Sequence, residues 1–478
     1  MIWFEIFLAV WVAGWLCLPH LLLLNKRPTA TLAWLWAIIF IPAIGPALYL
    51  MIGSERVKRR RSKKRSQFRK QEHWSTARAA TAKTSAQMAA EIRLGEEDRT
   101  LLDSLARISQ LPLATASRLE LLRNAEAFYA ALKESIRSAR REIQIESYVW
   151  RDDEVGREFL ELLVAAARRG VRVRVLLDEI GSFWLSESHF RPLVEAGGRF
   201  SWCRTLYPLR HRFFFNLRNH RKLQIIDARI AYVGGMNFGG EYLGQDPNLG
   251  PWADLQIKVE GTVIEILRQI FVEDWFFATG REDRAEIPAP DTPADRKSFV
   301  QVLRGGPDED DYPMLRMNLA LHAAAKKRLW IATGYFVPGE AMQFALQVAA
   351  ARGVDVRLLI SERNQHHYLV QAGRSYYNAL LRQGIRIYEF HKGVEHSKYI
   401  VLDEDWSAVG SCNFDERSMR LNFELSLLSF DRETNATLAG IFLETISQSQ
   451  EIDRTTFARR SFGEKLVESG LRLLSPLL

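Results

Sequence analysis

The chain carries one short polar pattern twice, and whatever it folds into must house both copies. Residues 220–227 read HRKLQIID and residues 396–403 read HSKYIVLD, so His220, Lys222 and Asp227 recur as His396, Lys398 and Asp403. Downstream, Gly234, Gly235 and Asn237 are answered by Gly410, Ser411 and Asn413. In an extended segment residues i and i+2 share a side, so His220 projects with Lys222 while Leu223 and Ile225 face the opposite layer. Asp227 and Ala228 fall where the chain should reverse, and RIAYV then supplies a second apolar strand ending on glycines that permit close approach. Each copy therefore reads as a hairpin with a polar pair at a sheet edge or mouth. The change from Gly235 to Ser411 reads as an exchange of small residues.

The repetition extends well beyond the hairpins. SARREIQIESYVW (138–150) parallels AAKKRLWIATGYFV (324–337), and AAARRGVRVRVLLDE (165–179) parallels AAARGVDVRLLISE (349–362). In the second pair a helix closes at Gly170 or Gly353 and an alternating strand follows. Helices alternating with strands in this way imply βαβ units and an α/β sheet covered on both faces. The proline- and acid-rich stretch 281–299 marks the boundary between the halves.

The remaining sequence is organised around the amino terminus. Residues 6–24 and 30–53 contain no charged side chain, and each is long enough to cross a hydrocarbon core of about 30 Å. Pro19, Pro42 and Pro46 can kink such helices, which leaves a re-entrant hairpin as the alternative. His20, inside the first run, reads as a helix-end residue near the headgroups. The net charge is +8, but residues 56–70 alone hold ten basic residues and no acids, which leaves the rest close to neutral. A basic run directly after an apolar segment marks the cytoplasmic side of a membrane anchor, and no nucleic-acid partner is implied. The expected organisation is thus a membrane anchor over 1–55, a basic juxtamembrane segment and connector over 56–115, and lobes over 116–285 and 286–478. Three cysteines in 478 residues cannot build a disulfide framework, and Cys412 reads as a small buried neighbour of the second motif.

Two further stretches have surface character. RTLYPLRHRFFFNLRNHRK (204–222) interleaves arginines with aromatics and suits a lip at a lipid interface, with His211 outside any motif. The tail 461–478 forms a short amphipathic helix that either packs on the body or touches membrane.

Paired H-x-K-x4-D motifs, each followed by GG or GS and then Asn, resemble the phospholipase D superfamily. The two amino-terminal apolar segments, the strand ends ESYVW and TGYFVP and the stretch RSMRLNFE (417–424) resemble bacterial cardiolipin synthases in particular. The resemblance implies two tandem phospholipase D-like αβα lobes related by a pseudo-twofold axis, preceded by two transmembrane helices. It implies a multi-pass protein of the bacterial inner membrane with its catalytic body in the cytoplasm. The implied reaction transfers a phosphatidyl group between phosphatidylglycerol molecules, with phosphatidylethanolamine an alternative second substrate. Hydrolytic phospholipase D or nuclease activity is the alternative within the same superfamily.

Such chemistry needs a nucleophile, an acid for the departing oxygen and positive charge around the phosphoryl oxygens. By analogy with the superfamily, His220 is the nucleophile and His396 the general acid. Lys222 and Lys398 suit the phosphoryl oxygens, with Asn237 and Asn413 adding hydrogen bonds, and no metal or other cofactor is required. Asp227 and Asp403 complete the catalytic triplets and should hold local hairpin structure. Asp254 and Glu424 either orient the histidines through the far ring nitrogen or are structural acids.

Overall fold

The computed structural model describes residues 5, 11–12, 14–24, 28–50, 95–203, 218–281, 298–309 and 311–473. The basic run 56–70, most of the aromatic stretch 204–222 including His211, and nearly all of the linker 281–299 lie outside the described residues. The chain divides into two compact units, one of residues 1–70 with 205–217 and one of 71–204 with 218–478.

In the smaller unit, helices cover Cys17–Leu23, Pro28–Phe40 and Ile44–Leu48. The second helix ends just before Pro42, which has no N–H to continue the ladder, and Ala43 turns the chain with φ 63°. Two spanning helices were expected here, yet among the described residues no helix is long and apolar enough to cross a membrane. Pro28–Phe40 has 13 residues, a rise of about 20 Å at 1.5 Å per residue. His20 Nδ1 lies 2.7 Å from the Tyr49 hydroxyl, so its partner is another side chain of the unit.

The larger unit contains the two halves, and their sheets have the same strand order. In the first half seven strands run Arg118–Arg123, Leu255–Glu260, Ile230–Gly234, Leu223–Ile226, Glu142–Ser147, Arg172–Asp178 and Arg199–Cys203. Strands Ser298–Gly305, Asn422–Phe430, Trp406–Gly410, Tyr399–Leu402, Arg328–Thr333, Asp355–Ser361 and Arg386–Phe390 follow the same order in the second. The last three strands of each series are parallel and joined by helices, whereas the motif hairpins pair antiparallel. The sheets are therefore mixed, because a hairpin needs only a tight turn whereas a parallel pair needs a crossover. Gly170 and Gly353 both sit at φ +87° between helix and strand, a conformation that costs other residues energy. Asp153 and Asp431 each cap a helix, Glu154–Arg168 in the first half and Arg432–Ser447 in the second, accepting from the Gly156 and Thr434 N–H groups.

The sheets meet through an apolar layer in which Leu223, Ile225 and Val233 of one half pack with Val401, Val409 and Leu425 of the other. The described part of the connector, residues 95–115, is not a free-standing link. Helix Glu96–Ser109 buries Leu101, Leu102 and Leu105 in the core of the second half, and Asp98 accepts from the Trp406 indole at 2.9 Å. Strand Leu113–Ala116 pairs with Ser298–Gly305, on the edge of the second sheet. The amphipathic helix Phe462–Arg472 is closed by a Ser461–Glu464 capping box and packs along helix His367–Leu381. Phe462, Leu466 and Val467 nevertheless stay exposed.

Candidate active site

Each histidine is held by the opposite half. Strand Arg218–Asn219 runs parallel to Asn422–Phe423, at the start of a strand of the second half. The His220 N–H donates to the Phe423 carbonyl at 3.0 Å, and Nδ1 lies 3.0 and 3.1 Å from the carboxylate oxygens of Glu424, the next residue. The arrangement recurs with the halves exchanged. Strand Val394–Glu395 runs parallel to Trp252–Ala253, the His396 N–H donates to the Ala253 carbonyl at 2.8 Å, and Nδ1 is 2.7 Å from Asp254 Oδ2. One backbone bond and one carboxylate thus fix each ring, and a carboxylate on Nδ1 leaves Nε2 to meet a substrate.

The lysines fold back beside their histidines. Lys222 Nζ donates to the His220 carbonyl at 2.9 Å, and Lys398 makes the same bond to His396. All four groups are buried. Burial, together with Lys222 and Lys398, pushes His220 down to about 4 against the pull of Glu424. His396 is pushed to about 3 by burial and Lys398, with Lys222 adding to the effect across the halves. Lys222 falls to about 7 through burial and the charge of Lys398. Each half's cation perturbs the other half's imidazole, so the two motifs share one electrostatic site. Burial alone would raise Glu424, but His220, Lys222 and the Ser411 hydroxyl outweigh it and hold the carboxylate below its ordinary range. Burial and the two lysines thus favour neutral imidazoles, beside confined lysine amines and the Glu424 carboxylate. Among the described residues no group of His, Cys, Asp or Glu is disposed to hold a metal ion.

Other residues singled out in the sequence divide in two. Asp227 and Asp403 stand at the far ends of the hairpins with φ 52° and 48°. Asp227 accepts from the backbone N–H groups of Arg140, Arg141 and Glu142, and Asp403 from those of Lys326, Lys327 and Arg328. They pin the start of the neighbouring strand, outside their own hairpins and away from the histidines. Asn237 Oδ1 accepts from the Val149 N–H, while its Nδ2 donates to the Tyr242 hydroxyl at 2.6 Å. Asn413 is equally buried, yet its Oδ1 has no partner among the described residues.

Gly235 and Ser411 are not interchangeable. A Cβ on Gly235 would stand 2.2 Å from Asp254 Oδ1, so the carboxylate that holds His396 occupies that space. Ser411 instead donates to Glu424 Oε2 at 2.5 Å and accepts from the Leu425 N–H at 3.0 Å. In the first half Asp254 Oδ1 itself accepts from the Leu255 N–H at 2.7 Å. The shorter acid goes with glycine and the longer with serine.

The sequence reading passed over two sets of residues. Tyr148 packs edge-on against the His220 ring at 4.9 Å, whereas Trp252 and Tyr242 line His396 at 4.9 and 5.7 Å. Tyr148 was signalled by the aromatic strand end ESYVW and Trp252 by the WAD tripeptide (252–254), whereas Tyr242 had no local signal. Arg221, the middle residue of the first motif, is fully buried. It is paired with Asp274 and donates to the Gly305 and Glu424 carbonyls. It ties the halves together, and Ser397 at the corresponding place gives no hint of that task.

This geometry agrees with what similarity to known proteins shows. Residues 132–275 and 319–446 match the family described as cardiolipin synthase, phospholipase D-like domain. The chain belongs to that family. Residues 7–54 match the family described as phospholipase D-nuclease N-terminal. A cardiolipin synthase of Geobacillus thermodenitrificans is 36% identical, over 95% of this chain and 90% of its own length. One from Geobacillus sp. strain WCH70 is 34% identical over the same shares. Among solved structures, the phosphatidylserine synthase of Haemophilus influenzae superposes with a TM-score of 0.61 at 15% identity, covering 79% of this chain and 100% of its own. That likeness concerns the fold. The family's two matched segments correspond to the two halves whose strands cross at the histidines.

Proposed function

We propose that this family member is a membrane-bound phosphatidyltransferase that joins two phosphatidylglycerol molecules into cardiolipin and releases glycerol. The observation that carries the proposal is the reciprocal seating of His220 on Glu424 and of His396 on Asp254. Glu424 keeps the proton of His220 on Nδ1, so the Nε2 lone pair attacks phosphorus. The bond from phosphorus to the glycerol oxygen breaks as His396 gives that oxygen a proton from Nε2. His396 must be an imidazolium for this step. The incoming phosphodiester anion favours that cation, and Asp254 stabilises it on the other side of the ring.

Lys222 and Lys398 balance the phosphoryl oxygens, and the Nδ2 amide group of Asn413 is the part of that side chain able to donate to them. In the second half-reaction His396 takes the proton of a second lipid's hydroxyl, that oxygen attacks phosphorus, and the bond to His220 breaks. Two phosphodiesters enter and cardiolipin and glycerol leave, so no energy source beyond the first ester is consumed. The intermediate must be kept from water.

The membrane seat is part of the same reading. The apolar runs 6–24 and 30–53 with the basic run after them support an anchor in the bacterial inner membrane with the body on the cytoplasmic side. Phe183 and Trp184 are 68% and 86% exposed, and they follow Ser182, whose hydroxyl donates to the Tyr148 carbonyl. Two bare aromatics beside the residue that packs on His220 suit a surface that meets lipid headgroups.

The test is purified full-length protein in phosphatidylglycerol vesicles, followed by lipid and glycerol analysis. Cardiolipin with equimolar glycerol is expected. Phosphatidic acid as the main product would replace transfer with hydrolysis.

A further inference from the structure

The helix Phe462–Arg472 is seated the wrong way round for a surface helix. Such a helix ordinarily turns its apolar stripe to the core and its charges to water. Here Glu468 is buried, whereas Phe462, Leu466 and Leu473 are 81%, 60% and 78% exposed. At 3.6 residues per turn these three share one face, and Glu468 lies on the other side with Leu471.

Specific attachments hold the helix in that orientation. Glu468 pairs with Arg460, whose guanidinium lies over the Phe457 ring at 3.3 Å. Phe457 in turn stacks on Tyr377 of helix His367–Leu381 at 5.3 Å. Leu471 packs against the core of the second half, Lys465 Nζ donates to the Ala458 carbonyl at 2.7 Å, and the capping box fixes the first turn. An ion pair, an aromatic stack and a cap therefore keep the apolar row outward, where a contiguous exposed patch marks a surface with a partner.

The chemistry and the place of the row say what that partner is. Residues 459–473 hold four basic residues, Arg459, Arg460, Lys465 and Arg472, against two acids. Both acids are engaged within the tail, Glu464 by the N–H and hydroxyl of Ser461 and Glu468 by Arg460. Phenylalanine and leucine on one face with net positive charge around them is the composition of a helix that lies in a headgroup layer. Helix His367–Leu381, which carries the tail, begins beside the reaction centre. The His366 ring stands 6.2 Å from Tyr335, and Tyr335 stands 6.3 Å from His396. Tyr368, in the first turn, is exposed, and Tyr377, where the tail is anchored, lies about 14 Å farther along the axis.

We propose that the row Phe462, Leu466 and Leu473 lies in the headgroup layer of the membrane, so that the tail holds the His396 side of the body against the lipid it draws on. The choice of a lipid surface rests on the phosphatidyl-transfer reading. A contact of this kind acts on the capture of lipid and leaves the chemistry at the histidines as it is.

The test uses full-length protein in phosphatidylglycerol vesicles with a nitroxide at Leu466→Cys, the spectrum of wild-type protein treated alike being subtracted. Oxygen, which concentrates in lipid, should relax this label more than a nickel chelate confined to water does, and the order should reverse for a label at Thr437→Cys, on the exposed face of helix Arg432–Ser447. A Leu466 label as open to the chelate as the Thr437 label overturns the proposal. Close coupling between Leu466 labels also overturns it, because a second copy of the chain would then cover the row. Phe462→Ser, Leu466→Ser and Leu473→Ser combined should lower kcat/KM on vesicles at least about tenfold and leave kcat/KM on monomeric short-chain phosphatidylglycerol unchanged. No change on either substrate, or equal loss on both, contradicts the proposed contact. If the wild type forms no cardiolipin while the Leu466 label rests in lipid, the transfer reading fails and the membrane contact stands.

Discussion

The two half-sites share a backbone plan and differ in what surrounds it. On the His220 side a long acid, Glu424, is backed by the Ser411 hydroxyl, and the flank holds Tyr148. On the His396 side a shorter acid, Asp254, is wedged against Gly235, and the flank is aromatic, with Trp252 and Tyr242. Strand pairing across the halves fixes where each ring nitrogen lies, because the same carbonyl and the following acid seat it in both cases. The side chains around that frame are then at liberty to diverge. Duplication supplies the geometry, and the differences supply separate roles for the two imidazoles.

The largest test of that division removes the rings. His220→Ala and His396→Ala should each lower cardiolipin formation by about 10⁴-fold or more, and the double variant should be little worse than either, since members of one catalytic unit are not additive. Additive losses would mean two independent sites. Next come the acids. Glu424→Gln and Asp254→Asn should each reduce kcat by at least about 10²-fold with an unchanged melting temperature, and a variant that kept its turnover would leave that acid a structural part only.

The glycine and serine sharpen the comparison. Gly235→Ser should displace Asp254 and cost about 10- to 100-fold in kcat, whereas Ser411→Gly should cost only about tenfold, the loss of one hydrogen bond to a charged group. Equal effects would show that the half-sites are interchangeable after all. Asp227→Asn should act on stability, lowering it by about 1–3 kcal/mol in denaturant titration with KM unchanged, because among the described residues its carboxylate accepts from the backbone N–H groups of Arg140, Arg141 and Glu142.

The smallest effect is in the pH profile. Lys222 is held down to about 7 by burial and Lys398, so the free enzyme loses that positive charge as pH rises through 7. The ratio kcat/KM, which reports the free enzyme, should fall above that pH, while kcat persists higher because bound phosphate retains the proton. Lys222→Arg should remove the alkaline limb whatever its effect on rate, since a guanidinium does not discharge there.

Much of this was legible in the sequence because a repeat carries its own control. The hairpins, the helix-ending glycines and the alternation of helix with strand are local patterns, and they led to two like α/β halves. Asp254 and Glu424 stood out as acids near the motifs, but which one serves which histidine depends on a strand exchanged between halves, and that is a long-range fact. For the same reason Arg221 passed unnoticed: its partners lie far along the chain, and its counterpart Ser397 does something else. Gly235 was misjudged as an ordinary small residue because nothing local shows that the carboxylate of Asp254 occupies its missing Cβ. At the amino terminus hydropathy alone favoured two long helices, whereas Pro42 and the turn at Ala43 close the helix Pro28–Phe40 early.

The central claim is that a phosphatidyl group rests on one imidazole while the other manages its protons. Mass spectrometry of the acid-lacking His396→Ala protein, quenched during incubation with a phosphatidylglycerol analogue whose leaving group needs no proton, tests it most directly. The adduct is expected on His220 Nε2 and should vanish in His220→Ala. An adduct on any residue other than His220, or turnover sustained with none, would contradict the account.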